Sequence, residues 1–187
     1  MTASTANSGL RAIAAAAVLV GAVAAHPAAW AQAAPAYTVH CKATEPRMDS
    51  TPELKDALGA IGKQDWDRAE TLLAPLVARK DRRAQTLLGG FVYGNEKSKK
   101  HDPAKALALL KDAAERCFPP AMEIYGVALG SGMGGATDLV EAYKWMVLAS
   151  REGLKTVVAP MSRMSESMTD DQLARAKRAA DEFKPRS

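Results

Sequence analysis

The residues of this chain whose types could do chemistry are few: Cys41 and Cys117, His40 and His101, a glycine-rich run at Gly130-Ser131-Gly132-Met133-Gly134-Gly135, and the carboxylate pair Asp170-Asp171. The cysteines are the informative pair. In an oxidising compartment they allow one intramolecular bridge, Cys41 to Cys117, and closing so long a loop is worth about 4 kcal/mol in a chain-entropy picture. Two unpaired thiols, one on an N-terminal arm and one at a helix end, are the other reading. His40, Cys41 and His101 show no metal-ligand spacing, so no metal and no cofactor is expected. No Ser-x-x-Lys, Gly-x-Ser-x-Gly, His-Glu-x-x-His, Cys-x-x-Cys or Gly-x-x-x-x-Gly-Lys occurs, and these are the arrangements that build nucleophiles, zinc sites and phosphate cradles. The glycine-rich run follows a helical pattern rather than a strand, which makes it a connecting loop. Asp170-Asp171 fits the favourable field at a helix start. The chain is therefore expected not to be an enzyme.

The elements that must position these residues are helical. Of the 187 residues 48% are hydrophobic but only 5% aromatic, so alanine supplies much of the apolar fraction. Alanine packs helices closely without filling a large core. Thr51-Pro52 ahead of Leu54, Leu58 and Ile61, and Asp102-Pro103 ahead of Ala106, Leu109 and Leu110, pair an N-cap with a proline in the first turn. Thr169-x-x-Gln172 is a capping box before Leu173, Ala176, Ala180 and Phe183. Gly62-Lys63-Gln64 reads as a tight turn, whereas 94–101 and 130–137 read as longer loops. Pro75 and Pro160 lie in helical stretches and are expected to bend or break them. No alternating strand pattern of useful length is present.

The N-terminal 33 residues read as a cleaved signal peptide. Arg11 is their only charge, the apolar run Ala12–Ala25 is short for a bilayer-crossing helix, and Ala31-Gln32-Ala33 fits a small-x-small cleavage site. The expectation is an exported protein, periplasmic or secreted, with no stable membrane insertion after cleavage. The formal charge of +4 falls to +3 without Arg11, too small an excess to predict a partner. Arg79-Lys80-Asp81-Arg82-Arg83 and Lys97, Lys99, Lys100 fall in different kinds of turn and form no single stripe. With no aromatics interleaved, nucleic acid is not expected. Weak contact with anionic envelope surfaces is the alternative role for these cations.

An internal repeat organises the rest. Asp65-Trp66-Asp67-Arg68-Ala69 aligns with Asp102-Pro103-Ala104-Lys105-Ala106 at an offset of 37, and Leu88-Gly89 aligns with Tyr125-Gly126 at the same offset. Asp102, Ala106 and Ala113 then meet Asp138, Ala142 and Ala149 at 36. Such a period with helical patterning signals stacked helix hairpins, each burying its apolar face on its neighbours. The predicted organisation is an extended arm over 34–52, helical repeats over 53–168, and a capping helix and tail over 169–187.

These residues resemble a known family. Ala84-x-x-x-Leu88-Gly89 with Asp102-x-x-Lys105-Ala106 and Ala113-Ala114, then Ala121-x-x-x-Tyr125-Gly126, Gly130-x-Gly132-x-Gly134, Asp138-x-x-Glu141-Ala142-x-x-Trp145, Ala149 and Gly153, are similar to the Sel1-like repeat, a relative of the tetratricopeptide repeat. The first hairpin, with its shorter turn, looks like a plain tetratricopeptide unit. The family's aromatic three residues after the repeat glycine falls on Val92 and Leu129, and Phe118-Pro119-Pro120 replaces the usual glycine-containing link. The resemblance implies an all-α, short right-handed α-solenoid of antiparallel hairpins with a C-terminal cap, acting as a scaffold or regulator that holds a segment of another protein on its concave face. Transferred by phase from Gly89 and Gly126, the concave positions are Arg83, Thr86, Tyr93, Glu123 and Val127. Ordinary packing or solvated side chains are the other reading of these five. Trp66 and Trp145, at apolar phase on second helices, read as core. The resemblance also carries a lesser alternative, a β-lactam-binding or hydrolysing enzyme, against which the missing Ser-x-x-Lys stands.

Overall fold

The computed structural model describes Cys41 and residues 48–186. The predicted signal peptide, His40 and most of the predicted arm lie outside the described residues. Among the described residues there is no strand, and no helix is long and apolar enough to cross a membrane. The chain is an α-solenoid. Hairpin one pairs α1 (Pro52–Gly62) with α2 (Trp66–Ala78). In hairpin two, α3 (Arg82–Leu87) runs on into a π-helical segment (Leu88–Tyr93) and returns as α4 (Pro103–Glu115). Hairpin three pairs α5 (Pro119–Gly130) with α6 (Leu139–Arg151). A 3-10 turn (Lys155–Val157), α7 (Val158–Ser165) and α8 (Asp170–Asp181) close the array, with both α7 and α8 packed on α6.

Short polar side chains start most of these helices. Thr51, Asp65, Asp81, Asp102 and Asp138 each accept a hydrogen bond from a first-turn backbone N–H, and Thr169 with Gln172 forms a complete capping box. Each such cap is worth about 1 kcal/mol. The ends use a different device. Gln64, Lys80 and Cys117 hold left-handed φ values of 59°, 58° and 61°, and Gly153 holds 90°. In each case the following N–H reaches back to close the helix end, as Asp81 N–H does to the Leu76 carbonyl at 3.0 Å and Phe118 N–H to that of Ala113 at 3.1 Å. Lys80, Cys117 and Gly153 follow one another at the repeat spacing, so Cys117 occupies the left-handed turn that glycine fills one unit later. A side chain there costs roughly 1 kcal/mol.

Neither proline breaks its helix. Helix α2 continues through Pro75, which is exposed and lies one turn from the helix end. Thr71, whose carbonyl loses that N–H partner, is on the exposed side of the helix, and few residues follow to be displaced. Pro160 falls in the first turn of α7, where an N–H has no intrahelical acceptor to lose.

The core forms two clusters. Leu54, Leu73, Leu87 and Val92 centre the first, and Leu110, Met122, Trp145, Met146 and Leu148 the second. Trp66 and Trp145 are both buried. Alanines and the repeat glycines let the helices approach closely. A Cβ on Gly89 would lie 3.1 Å from the Ala106 carbonyl oxygen, and one on Gly126 would lie 3.0 Å from that of Ala142. Backbone cannot yield as a flexible side-chain tip can. Gly126→Val is therefore expected to lower the unfolding free energy in a urea titration by about 1–3 kcal/mol. Gly59→Ala, with nothing within 4 Å of the new methyl, is expected to raise it by about 0.5–1 kcal/mol. Equal stability of Gly126→Val and wild type would mean that this contact does not set the α5–α6 spacing.

Candidate functional site

Cys41 and Cys117 are joined by a disulfide across 76 residues, with a Cα–Cα separation of 5.3 Å. Both are buried, and Cys41 packs among the α4, α5 and α6 core residues. The bridge thereby ties the residue before the repeats to the turn between α4 and α5. It belongs to the scaffold.

The five positions transferred by repeat phase do not form one surface. Thr86 is fully buried, and its hydroxyl donates to the Arg82 carbonyl at 2.7 Å, so it is removed from the set. Its counterpart Glu123 is half-buried. Arg83 is tied down: its guanidinium pairs with Asp81 at 2.6 Å and donates to the Ser50 hydroxyl at 2.5 Å. Tyr93 turns away from the other first-helix positions. It lies beside α2 and α4, where its hydroxyl donates to Glu70 at 2.5 Å. The π-helical segment is the reason, since its wider turn rotates the residues after Gly89 away from the positions that an α-helix would give them. Burial and then the bond to Glu70 push the Tyr93 phenol up to about 12. The same bond, with help from Lys100, holds the Glu70 carboxyl below its usual range.

Val127 is the position that the structure presents most openly. It is 47% exposed, and Phe91 in the π-helical segment is 44% exposed. Val127 lines a groove of about 360 Å³ with Gly130, Leu139, Met146, Pro160 and Met164, bordered by the exposed Arg163. Two methionines give this groove adaptable walls. The α7 wall was not legible by repeat phase, because 154–168 departs from the pattern of the earlier units. A second groove of about 380 Å³ lies between the second helices α2 and α4, lined by Ala74, Val77, Leu88, Tyr93, Ala108 and Leu109.

Several basic residues serve the fold. Lys100 bonds Asp67 and Glu70 at 2.9 Å each, and these bonds hold its ammonium pKa above the usual lysine value. Arg82 donates to the Arg116 carbonyl, and Arg116 to that of Lys80 at 2.8 Å. The turn 79–83 is thus clasped to the end of α4. In the glycine-rich loop, Gly132 and Gly134 take φ values of 75° and 72°, so these glycines satisfy loop geometry.

No family model and no curated protein sequence matches this chain. Among solved structures it is similar to the crystal structure of a protective antigen present in uropathogenic Escherichia coli strains, displaying an SLR fold. The TM-score is 0.61 and the identity 22%, over 72% of this chain and 30% of that one. The likeness shows the Sel1-like repeat fold, and this chain spans less than a third of that protein's length.

Proposed function

We infer that this Sel1-like array is an exported protein-interaction scaffold, periplasmic or secreted, that holds a segment of another protein on its first-helix face. The observation that carries this reading is the groove walled by α5, α6 and α7, with Val127 exposed in it. Exposed apolar side chains beside a concavity are what protein-binding surfaces present. Glu123, one turn before Val127, and Arg163 across the groove supply opposite charges for orienting a bound segment. Stacked hairpins offer such a face repeatedly, whereas a reaction centre needs a nucleophile and base held together. The N-terminal apolar run and small-x-small site support export.

The test places a photo-crosslinking amino acid at position 127 in cells, with position 177 on α8 as the control. A discrete adduct from 127, absent from 177 and diminished by Glu123→Arg, is expected, in the periplasmic or culture fraction. Equal adducts from both positions, or none from 127, would reject the first-helix face. Recovery in the cytoplasmic fraction would reject export.

A further inference from the structure

The chain itself fills one of two repeat-equivalent grooves and leaves the other open. After α8 the tail turns back over α6 and α4. Phe183 sits edge-on against Trp145 with ring centroids 5.3 Å apart. The Arg186 N–H donates to the Glu115 carbonyl at 2.8 Å, and its guanidinium pairs with Asp112 and with Glu115, the latter at 3.3 Å. Moving this groove back one unit by the repeat offsets carries Lys111 onto Ala74, Tyr125 onto Leu88, Lys144 onto Ala108 and Trp145 onto Leu109. Those are walls of the open α2–α4 groove. Where the occupied copy has a tryptophan, a tyrosine and two lysines, the open copy has two leucines and two alanines. The smaller side chains leave room for an incoming one.

The rim also differs in charge. Asp112 and Glu115, which receive Arg186, correspond to Pro75 and Ala78. The open rim instead carries Lys105, whose ammonium lies 5.5 Å from the Tyr93 ring centre, with Arg79 next in sequence to the lining residue Ala78. Lys105 shares Asp102 at 3.1 Å and its side chain is exposed. At the other end, Asp67 and Glu70 are already matched by Lys100.

We propose that the α2–α4 groove is a docking slot for an extended acidic segment of another protein, which inserts one aromatic side chain between Ala74 and Ala108 as Phe183 is inserted against Trp145. This slot is distinct from the groove at Val127 and stands whether or not that groove binds a partner. A second copy's tail suits it less well, because Lys184 and Arg186 follow its Phe183 with the wrong charge and Asp181, two residues before that ring, is already paired with Arg151.

The test titrates the purified protein with three labelled pentapeptides, followed by fluorescence anisotropy. One has two acidic residues on each side of a phenylalanine, one has alanine in place of the phenylalanine, and one has lysines in place of the acids. Saturable binding of the acidic phenylalanine peptide is expected, weakened at least about tenfold by loss of its ring or by Ala108→Phe, which fills the slot from within. Lys105→Glu is expected to weaken it about threefold or more, and it checks the site through an exposed residue that does not pack in the core. Both variants should melt as the wild type does. Unchanged binding to both variants, equal binding of the lysine peptide, or no binding of any peptide would overturn the proposal. Concentration-dependent self-association abolished by Ala108→Phe would assign the slot to a second copy and overturn it equally.

Discussion

Reducing the Cys41–Cys117 bridge is expected to lower the unfolding free energy by about 4 kcal/mol, and the melting temperature by about 10–20 °C. The bond closes 76 residues, so the unfolded chain regains much freedom when it opens. The native state also loses the pin that holds Cys41 against the core. Cys117 adds a second term, because its φ of 61° is one a side chain resists. Cys117→Gly relieves that resistance while losing the bond, and Cys117→Ala loses the bond and keeps the resistance. The glycine variant is thus expected to be more stable than the alanine variant by roughly 1 kcal/mol. Thermal melts followed by circular dichroism, with and without reductant, measure both effects. Superimposable oxidised and reduced melts would show that the bridge contributes nothing, and a reversed order of the two variants would reject the role of the left-handed turn.

Trp145→Ala is expected to cost about 3–5 kcal/mol, the range for emptying an aromatic site in a packed core. The ring is 2% exposed. It meets Tyr125 edge-on at 5.6 Å and Phe183 at 5.3 Å, and its Nε1–H donates to Glu141 at 2.8 Å. Lys144 lies 4.4 Å from its centre. Loss of the ring also removes the surface on which the C-terminal tail rests. Hydrogen exchange over residues 182–186 should therefore rise in Trp145→Ala beyond the change seen elsewhere. Trp145→Phe keeps a ring but loses the bond to Glu141, and it is expected to cost about 1–2 kcal/mol. A loss below about 1 kcal/mol for the alanine variant would mean that the site collapses onto smaller contacts.

Much of the architecture was legible in the chain because it depends on local chemistry. Thr51, Asp65, Asp102, Asp138 and Thr169 lie at helix starts because their short oxygens reach the first free N–H groups, whatever the helix packs against. The 36- and 37-residue offsets follow from one hairpin geometry used repeatedly, and Gly89 and Gly126 stand where two backbones meet. The face that a repeat residue presents was less legible. Thr86 and Glu123 hold equivalent positions, yet one is buried and the other half-buried, because burial depends on what packs beside each residue and not on repeat phase. Repeat phase puts Tyr93 on the first-helix face, whereas the π-helical segment that it ends places it beside α2 and α4.

The sequence by itself determined the helical class, the hairpin repeat, the caps and the availability of a single cysteine pair, since each rests on residue type and spacing along the chain. Only the tertiary structure decided that Pro75 leaves α2 whole, that Cys117 takes the turn glycine takes at position 153, and that the tail covers one groove between second helices while its repeat-equivalent stays open. Those outcomes depend on contacts between residues far apart in the chain. The cost of a proline, a left-handed turn or an exposed groove is set by what packs beside it.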